Sequence, residues 1–340
     1  MNKHLSLSWS PIGLDIGSYR VVATQLDALG RVRAFASFGR REPESALSEL
    51  EAHRIRSILD RQGFRGSRAV LSAPRAMVRS TTIELPPASS GAPIQQLAES
   101  ELARIHRLAP NSFSFGLWEL PPSARANTAP QTMAVTCRND ESDALCDICE
   151  HADLEPIAID TAGLATIRAL NLDNQGTKAI LEFGESVAIL TVVHCGTLVF
   201  ERSLGEMTLR RLRSEVGKTL RLPANAVGRL LHEQGLLPNE NSLLTGAVAH
   251  ALELFVEEIA HSAAYASSRY EKAAIDQVYL VGAGASIPGL AEHLAKSLEC
   301  EFIAPHLSEF ATMREPLAKR PMPGEGIAAL GLARWRSEAA

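Results

Sequence analysis

No apolar run in this 340-residue chain reaches the roughly 20 residues that cross a bilayer. The best candidate, residues 187–200, is broken by Thr191, His194, Gly196 and Thr197. An excess of positive charge is also missing. The 34 basic residues face 39 acidic ones, a net charge of −5, so global charge gives no reason to expect nucleic acid. Lysine is scarce, 6 residues against 28 arginines, which reads as a codon-usage habit. The five cysteines, at 137, 146, 149, 195 and 300, form no even framework, so reduced thiols and a cytoplasmic setting are expected. Cys146 and Cys149 make a CxxC, but with His151 as the only neighbouring ligand a zinc site falls short, and they read as two small residues on one helical turn. None of the ten histidines stands in an HExxH or related spacing. The N-terminal residues lack the apolar core of a signal peptide.

What remains is an ordinary globular composition, 46% hydrophobic and 21% charged, which excludes disorder and small disulfide scaffolds. The length points to two domains, or to one with insertions. Strands are expected at 11–17, 21–26 and 32–38, the last two joined by a turn at Leu29-Gly30. A helix over 46–62 stops at Gly63, and strands return at 69–73 and 77–85. The Pro/Ser/Gly stretch 86–93 marks a boundary. A helix (94–106), two strands around the loop 121–130, and a helix (140–151) follow as a compact insert. A strand at 156–160 and a helix at 164–170 complete this half.

Residues 180–203 then repeat the pattern of residues 12–38. Ile12-Gly-Leu-Asp15-Ile-Gly17-Ser18 is echoed by Ile180-Leu-Glu182-Phe-Gly184-Glu185-Ser186. The two carboxylates lie 167 residues apart, and the next turn glycine follows after 15 residues in one copy and 14 in the other. An internally duplicated α/β protein is expected. A strand that runs into a glycine turn and back offers backbone N–H groups to phosphate oxygens. A nearby carboxylate becomes useful when Mg²⁺ lies between it and the phosphate, usually through water. Two facing turns would hold one nucleotide across a cleft. Further on, the strand 275–281 runs into Gly282-Ala-Gly284-Ala-Ser286-Ile-Pro288-Gly289, where small residues admit a ligand and Pro288 suits the first turn of a helix to Leu298. It is not the dinucleotide fingerprint, because Pro288 follows too closely.

In this order, the motifs resemble the actin-like ATPase superfamily, a ribonuclease H-like duplicated two-lobed α/β fold. Within it the resemblance is to the type IV pilus assembly protein PilM family, related to FtsA. It rests on GLDIGSYRV (13–21), APRAMVRSTTIELPP (73–87), AIDTAGLATIRAL (158–170), YLVGAGASIPGLAEHL (279–294) and GIAALGLA (326–333). The resemblance implies a first lobe at 1–85 and 156–176, an FtsA-type inserted subdomain at 86–155, and a second lobe at 177–340 with a helical subdomain near 205–274. It implies ATP or ADP with Mg²⁺ as cofactor. Asp15, Gly17, Ser18 and Arg20 match the first phosphate motif, Glu182 and Gly184 the second, and Gly282, Gly284 and Ser286 the adenosine motif. Asp15 and Glu182 would position Mg²⁺ and phosphate, Asp15 through water. The implied partners are a PilN-like N-terminal cytoplasmic peptide and the inner-membrane pilus platform, with the chain peripheral to the membrane at its inner face. Self-association is a further expectation.

Three positions depart from the family pattern. Glu182 stands where Asp is usual, Ala162 replaces an acid two places after Asp160, and His261 replaces an arginine in Glu258-Ile-Ala-His261-Ser262. All three point to nucleotide binding with weak or absent hydrolysis. The alternatives are a small-molecule kinase of the same superfamily with Asp160 as base, a module of a type II secretion platform, and a scaffold that binds no nucleotide. Seven arginines stand against Asp60 in residues 54–79. They read first as a solvated face, and otherwise as a surface facing anionic lipid or an acidic tail. Trp335 is expected to pack at the end of the last helix.

Overall fold

The computed structural model describes residues 9–122, 131–172, 176–236, 242–270, 275–315, 317 and 324–336. Most of the expected loop 121–130 lies outside the described residues. The first half runs β1 (Ile12–Ile16), β2 (Arg20–Leu26), β3 (Val32–Gly39), α1 (Glu49–Arg61), β4 (Arg68–Ser72), β5 (Val78–Glu84), α2 (Ile94–His106), β6 (Phe113–Glu119), β7 (Gln131–Arg138), α3 (Asn139–Glu150), β8 (Glu155–Asp160) and α4 (Ala162–Leu170). The second runs β9 (Thr177–Phe183), β10 (Ala188–His194), β11 (Thr197–Ser203), α5 (Leu209–Leu220), α6 (Ala224–Glu233), α7 (Ser242–Arg269), β12 (Ile275–Val281), α8 (Leu290–Leu298), β13 (Glu301–Ile303), α9 (Leu307–Phe310) and α10 (Ile327–Ala333).

The two large sheets have the same topology, β3-β2-β1-β4-β8 and β11-β10-β9-β12-β13. Their registers also coincide. Gly13 faces Thr24 and Asp15 faces Val22, while Ile180 faces Thr191 and Glu182 faces Ile189, every position displaced by 167. The expected duplication is therefore present down to individual residue pairs. The central strands are apolar along their length, because each lies between two neighbours and under helices; Ile12, Leu14, Ala179 and Leu181 are fully buried. The second core extends to α5, α6 and α7, with the Phe183 and Phe255 rings stacked 5.1 Å apart. Cys149 packs in the first core beside Leu145, and burial pushes its thiol up to about 12, which makes it a core residue rather than a reactive one.

Two boundaries differ from expectation. β5 pairs antiparallel with β7 in a three-stranded sheet β5-β7-β6, so the small unit takes in residues assigned by sequence to the first lobe. The composition break at Pro86 is a turn inside that unit. α10, assigned to the second lobe, packs on β1, β2 and α4 of the first. It gets there because Gly13 and Gly331 lack side chains: a methyl on Gly13 would overlap the Ala329 carbonyl, and one on Gly331 the Ala165 carbonyl. Trp335 follows α10 and packs against the Val70–Ala165–Leu332 cluster, as expected.

Candidate functional site

The carboxyl ends of β1 and β9 face one another across a cleft of about 590 Å³. Both strands enter the same turn. The Gly17 N–H donates to the Arg20 carbonyl at 2.9 Å, and the Gly184 N–H to the Val187 carbonyl at 2.8 Å. That closing bond brings the carbonyl to 3.2 Å from where a Cβ would stand on either glycine, tighter than ordinary packing. Among the described residues, the N–H groups of Ser18 and Tyr19, and of Glu185 and Ser186, find no protein acceptor. Each turn tip therefore leaves two free N–H donors on residues that line the cleft, which suits an anion. A third anion-favouring element is the first turn of α4. Thr161, Ala162 and Gly163 line the cleft there, and the Thr161 hydroxyl caps the helix by accepting from the Leu164 N–H.

Six carboxylates line this space; Glu44 and Glu185 are taken up by Arg210 and Arg213, which leaves Asp15, Glu182, Glu201 and Glu325. Ser72 donates to Asp15 Oδ1 at 2.5 Å, and the Ile16 N–H donates to Ser72 Oγ. Burial raises the Asp15 carboxyl above its ordinary range, against the lowering effect of that hydroxyl. Burial pushes Glu182 up to about 7, helped by the negative charges of Asp15 and Glu201 and opposed by Arg75. Glu201, on β11, accepts from Arg75 and from the Ser80 hydroxyl. Glu325, just before α10, accepts from Ser37 Oγ at 2.7 Å and pairs with Arg20 at 3.3 Å. Such a crowd of poorly solvated carboxylates is what a divalent cation relieves. Among the described residues no three of His, Cys, Asp and Glu form a group that could hold a metal ion directly.

A second pocket of about 850 Å³ adjoins the cleft and shares Arg20, Glu185, Ala283 and Glu325 with it. Its walls come from α5 and α6 (Arg213, Gly228, Leu231) and from the loop after β12. By register, Val281-Gly282-Ala283 corresponds to Ser72-Ala73-Pro74 at the end of β4. Gly282 adopts φ 79°, ψ −168°, which effectively requires glycine. Gly284 is buried, and a Cβ there would press on the Phe183 ring at 2.7 Å. These glycines seat the loop against β9 rather than opening it to a ligand. Ser286 lines the pocket with its hydroxyl turned to the Ala283 carbonyl at 2.7 Å. Pro288 does not begin a helix: α8 starts at Leu290 after Gly289 at φ 78°, and the Pro288 carbonyl instead accepts from the Leu236 N–H.

Asp15, Gly17, Ser18, Arg20, Glu182, Gly184 and Gly282 thus surround one cleft, and Ser286 lines the adjoining pocket. Arg20 is turned toward Ser37 and Glu325. Asp160 does not line the cleft, since its carboxylate accepts from the Thr161 N–H and from Arg168 at 2.8 Å. That removes the base on which the kinase reading depended. His261 is exposed and lines neither pocket; the neighbouring Glu258 and Ser262 instead hold Arg202. Arg75, Glu201 and Glu325 were missed. Arg75 stands inside a stretch already singled out (73–87), and its place after the β4 counterpart of Gly282 is the signal that could have found it. Glu201 carries no local signal.

The sequence matches the family described as type IV pilus assembly protein PilM over residues 13–334. No curated protein matches the chain in sequence. Among solved structures it is similar to a PilM–PilN type IV pilus biogenesis complex, with 19% identity over 96% of this chain and 98% of that one and a TM-score of 0.76. The ethanolamine utilization protein EutJ of Carboxydothermus hydrogenoformans is similar at 14% identity, over 97% and 90% of the two chains, with a TM-score of 0.58. MreB5 of Spiroplasma citri, bound to AMPPNP, gives 10% identity, 94% and 93%, and 0.54. At these identities the likeness is one of fold, and the fold is the actin-like one.

Proposed function

The chain belongs to the type IV pilus assembly protein PilM family, and from that premise we propose that it is a nucleotide-switched adaptor of the pilus platform. The observation that carries this reading is the pair of matching turns, closed by the same bond and lining one cleft with free N–H donors on their residues. In this reading the turns at Gly17-Ser18 and Gly184 hold the phosphates of ATP or ADP. Asp15 and Glu182 hold hydrated Mg²⁺, which supplies charge neutralisation. The loop at Gly282, Gly284 and Ser286 shapes the nucleoside pocket. Arg20 reaches a phosphate only by leaving Glu325, which makes that ion pair a sensor of occupancy. Hydrolysis is weak, because Ala162 brings no carboxylate to the cleft and Asp160 is engaged elsewhere.

The partner in this reading is a PilN-like N-terminal cytoplasmic peptide, held between the first lobe and its small sheet at the inner face of the inner membrane. Nucleotide and peptide can communicate because bonds cross the cleft. Arg75 pairs with Glu201, Arg210 with Glu44 at 2.9 Å, and Trp118 Nε1 of the small sheet donates to the Leu198 carbonyl at 2.8 Å. A change in lobe angle strains all three, and binding then selects between the two angles. Titrating a labelled PilN-like peptide with and without Mg-ATP tests this. Its affinity is expected to differ roughly 5- to 150-fold between the two conditions, and Trp118→Ala is expected to reduce that ratio. Equal affinities in both conditions overturn the switch.

A further inference from the structure

The end of the first sheet remote from the cleft carries a charge opposite to that of the whole chain. β1, β4 and β2 fix the geometry. Asp15, Ser72 and Arg20 stand at one end, and Ile12, Arg68 and Leu26 at the other, about 20 Å away for a seven-residue strand. At that remote end Arg31 and Arg33 open β3, Arg65 follows α1, and Arg314 enters from the segment that pairs with Val32. The guanidinium groups of Arg65 and Arg314 lie close enough to Arg33 to act on its charge. Burial, and then the charges of Arg65 and Arg314, lower the proton affinity of Arg33, whose Nε is buried with no hydrogen-bond partner. Asp27 is the carboxylate that faces them, taken up by Arg31 at 2.8 Å and approached by Arg314 at 4.0 Å. Trp9 lies against the cluster, with the Arg33 guanidinium 4.1 Å from its ring centroid. By contrast, Arg75 of the sequence-level basic stretch points into the cleft, and Arg56 is paired with Asp60.

We propose that this face, Arg31, Arg33, Arg65 and Arg314 around Trp9, rests directly on an anionic phospholipid bilayer. Four arginines gathered around one carboxylate, Asp27, leave positive charge that matches lipid phosphates, and an indole beside them suits the headgroup layer. An acidic peptide is the less suitable occupant: at this end the outer edge of β3 is already taken, since the Val32 N–H donates to the Thr312 carbonyl and the Val32 carbonyl accepts from the Arg314 N–H. Docked in this way, the molecule turns its nucleotide cleft away from the membrane. The inference goes beyond the adaptor reading, since it needs neither nucleotide nor peptide.

Co-sedimentation of the full chain with phosphatidylcholine vesicles, with and without phosphatidylglycerol, tests it. Binding is expected only with phosphatidylglycerol and is expected to fall as salt is raised. Arg65→Gln with Arg314→Gln removes two exposed charges, of which only Arg314 approaches a buried carboxylate, Asp27 at 4.0 Å, and is expected to weaken partitioning roughly 25-fold, about fivefold per arginine. Arg104→Gln with Arg138→Gln makes the same charge change on the small unit and is expected to leave partitioning unaltered. Absence of binding to anionic vesicles, or equal losses in the two double variants, overturns the proposal. So does binding to polyglutamate without binding to vesicles, which would assign the face to an acidic peptide.

Discussion

Replacing Gly331 by alanine is expected to destabilise the protein by about 3 kcal/mol, although alanine is the better helix former. Gly331 lies in α10, and the added methyl would overlap the carbonyl and Cα of Ala165 on α4. Those atoms are backbone in the middle of a helix, so no rotamer change relieves the overlap. The two helices must separate, and α10 is also the element lying on β1, where Gly13 leaves no room to shift. Glycine to alanine at Gly246 in α7 is the control. Nothing stands within 4 Å of the new methyl there, and a gain of roughly 0.5–1 kcal/mol is expected from propensity alone. Denaturant unfolding of both variants checks the pair of opposite signs. A neutral Gly331→Ala would mean that α10 is not seated as described.

The second large effect concerns pH. Glu182 is held up to about 7, chiefly by burial and then by Asp15 and Glu201, against 4.5 for an ordinary glutamate. Between those two values the folded state keeps a proton that the unfolded chain has released. Stability therefore falls as pH rises through that window, with the full penalty above 7. The shift corresponds to at most on the order of 3 kcal/mol, and Asp15, displaced in the same direction, adds to it. Glu182→Gln is expected to stabilise the protein at pH 8, to change little at pH 5, and to flatten the profile between. Unfolding free energies across that range check this. A profile in Glu182→Gln as steep as in the wild type would mean that the cleft carboxylates are well solvated.

The duplicated hairpins were legible because both halves keep the same strand–acid–x–glycine order at a constant displacement. Asp15, Gly17, Ser18, Glu182, Gly184, Glu185 and Ser186, all of which line the cleft, belong to that one pattern. Partners from distant segments were not legible. Arg75 and Glu201 are 126 residues apart, and only the facing of the two sheets joins them. His261 misled for a different reason. On a 28-residue helix the buried stripe runs through Phe255, Ile259, Ser262 and Ala266, and a residue one step off that stripe points to solvent whatever its neighbours do. The small sheet began before Pro86 because pairing with β7, 47 to 59 residues along the chain, decides where β5 belongs. The proline-rich stretch only ends it. The glycines at 282 and 284 have structural reasons of their own that the sequence did not show, a positive φ at Gly282 and packing against the Phe183 ring at Gly284.

The account depends most on the cleft between the two turns holding a nucleotide, and calorimetric titration of the purified chain with Mg-ATP measures this directly. Micromolar binding, roughly −8 kcal/mol, is expected for the wild type, with proton release at pH 6 as the cation displaces the proton that Glu182 holds. Asp15→Ala, which takes away a cleft carboxylate and leaves both turns intact, is expected to abolish it. No heat of binding in the wild type, or unchanged affinity in Asp15→Ala, would contradict the account and leave a static adaptor.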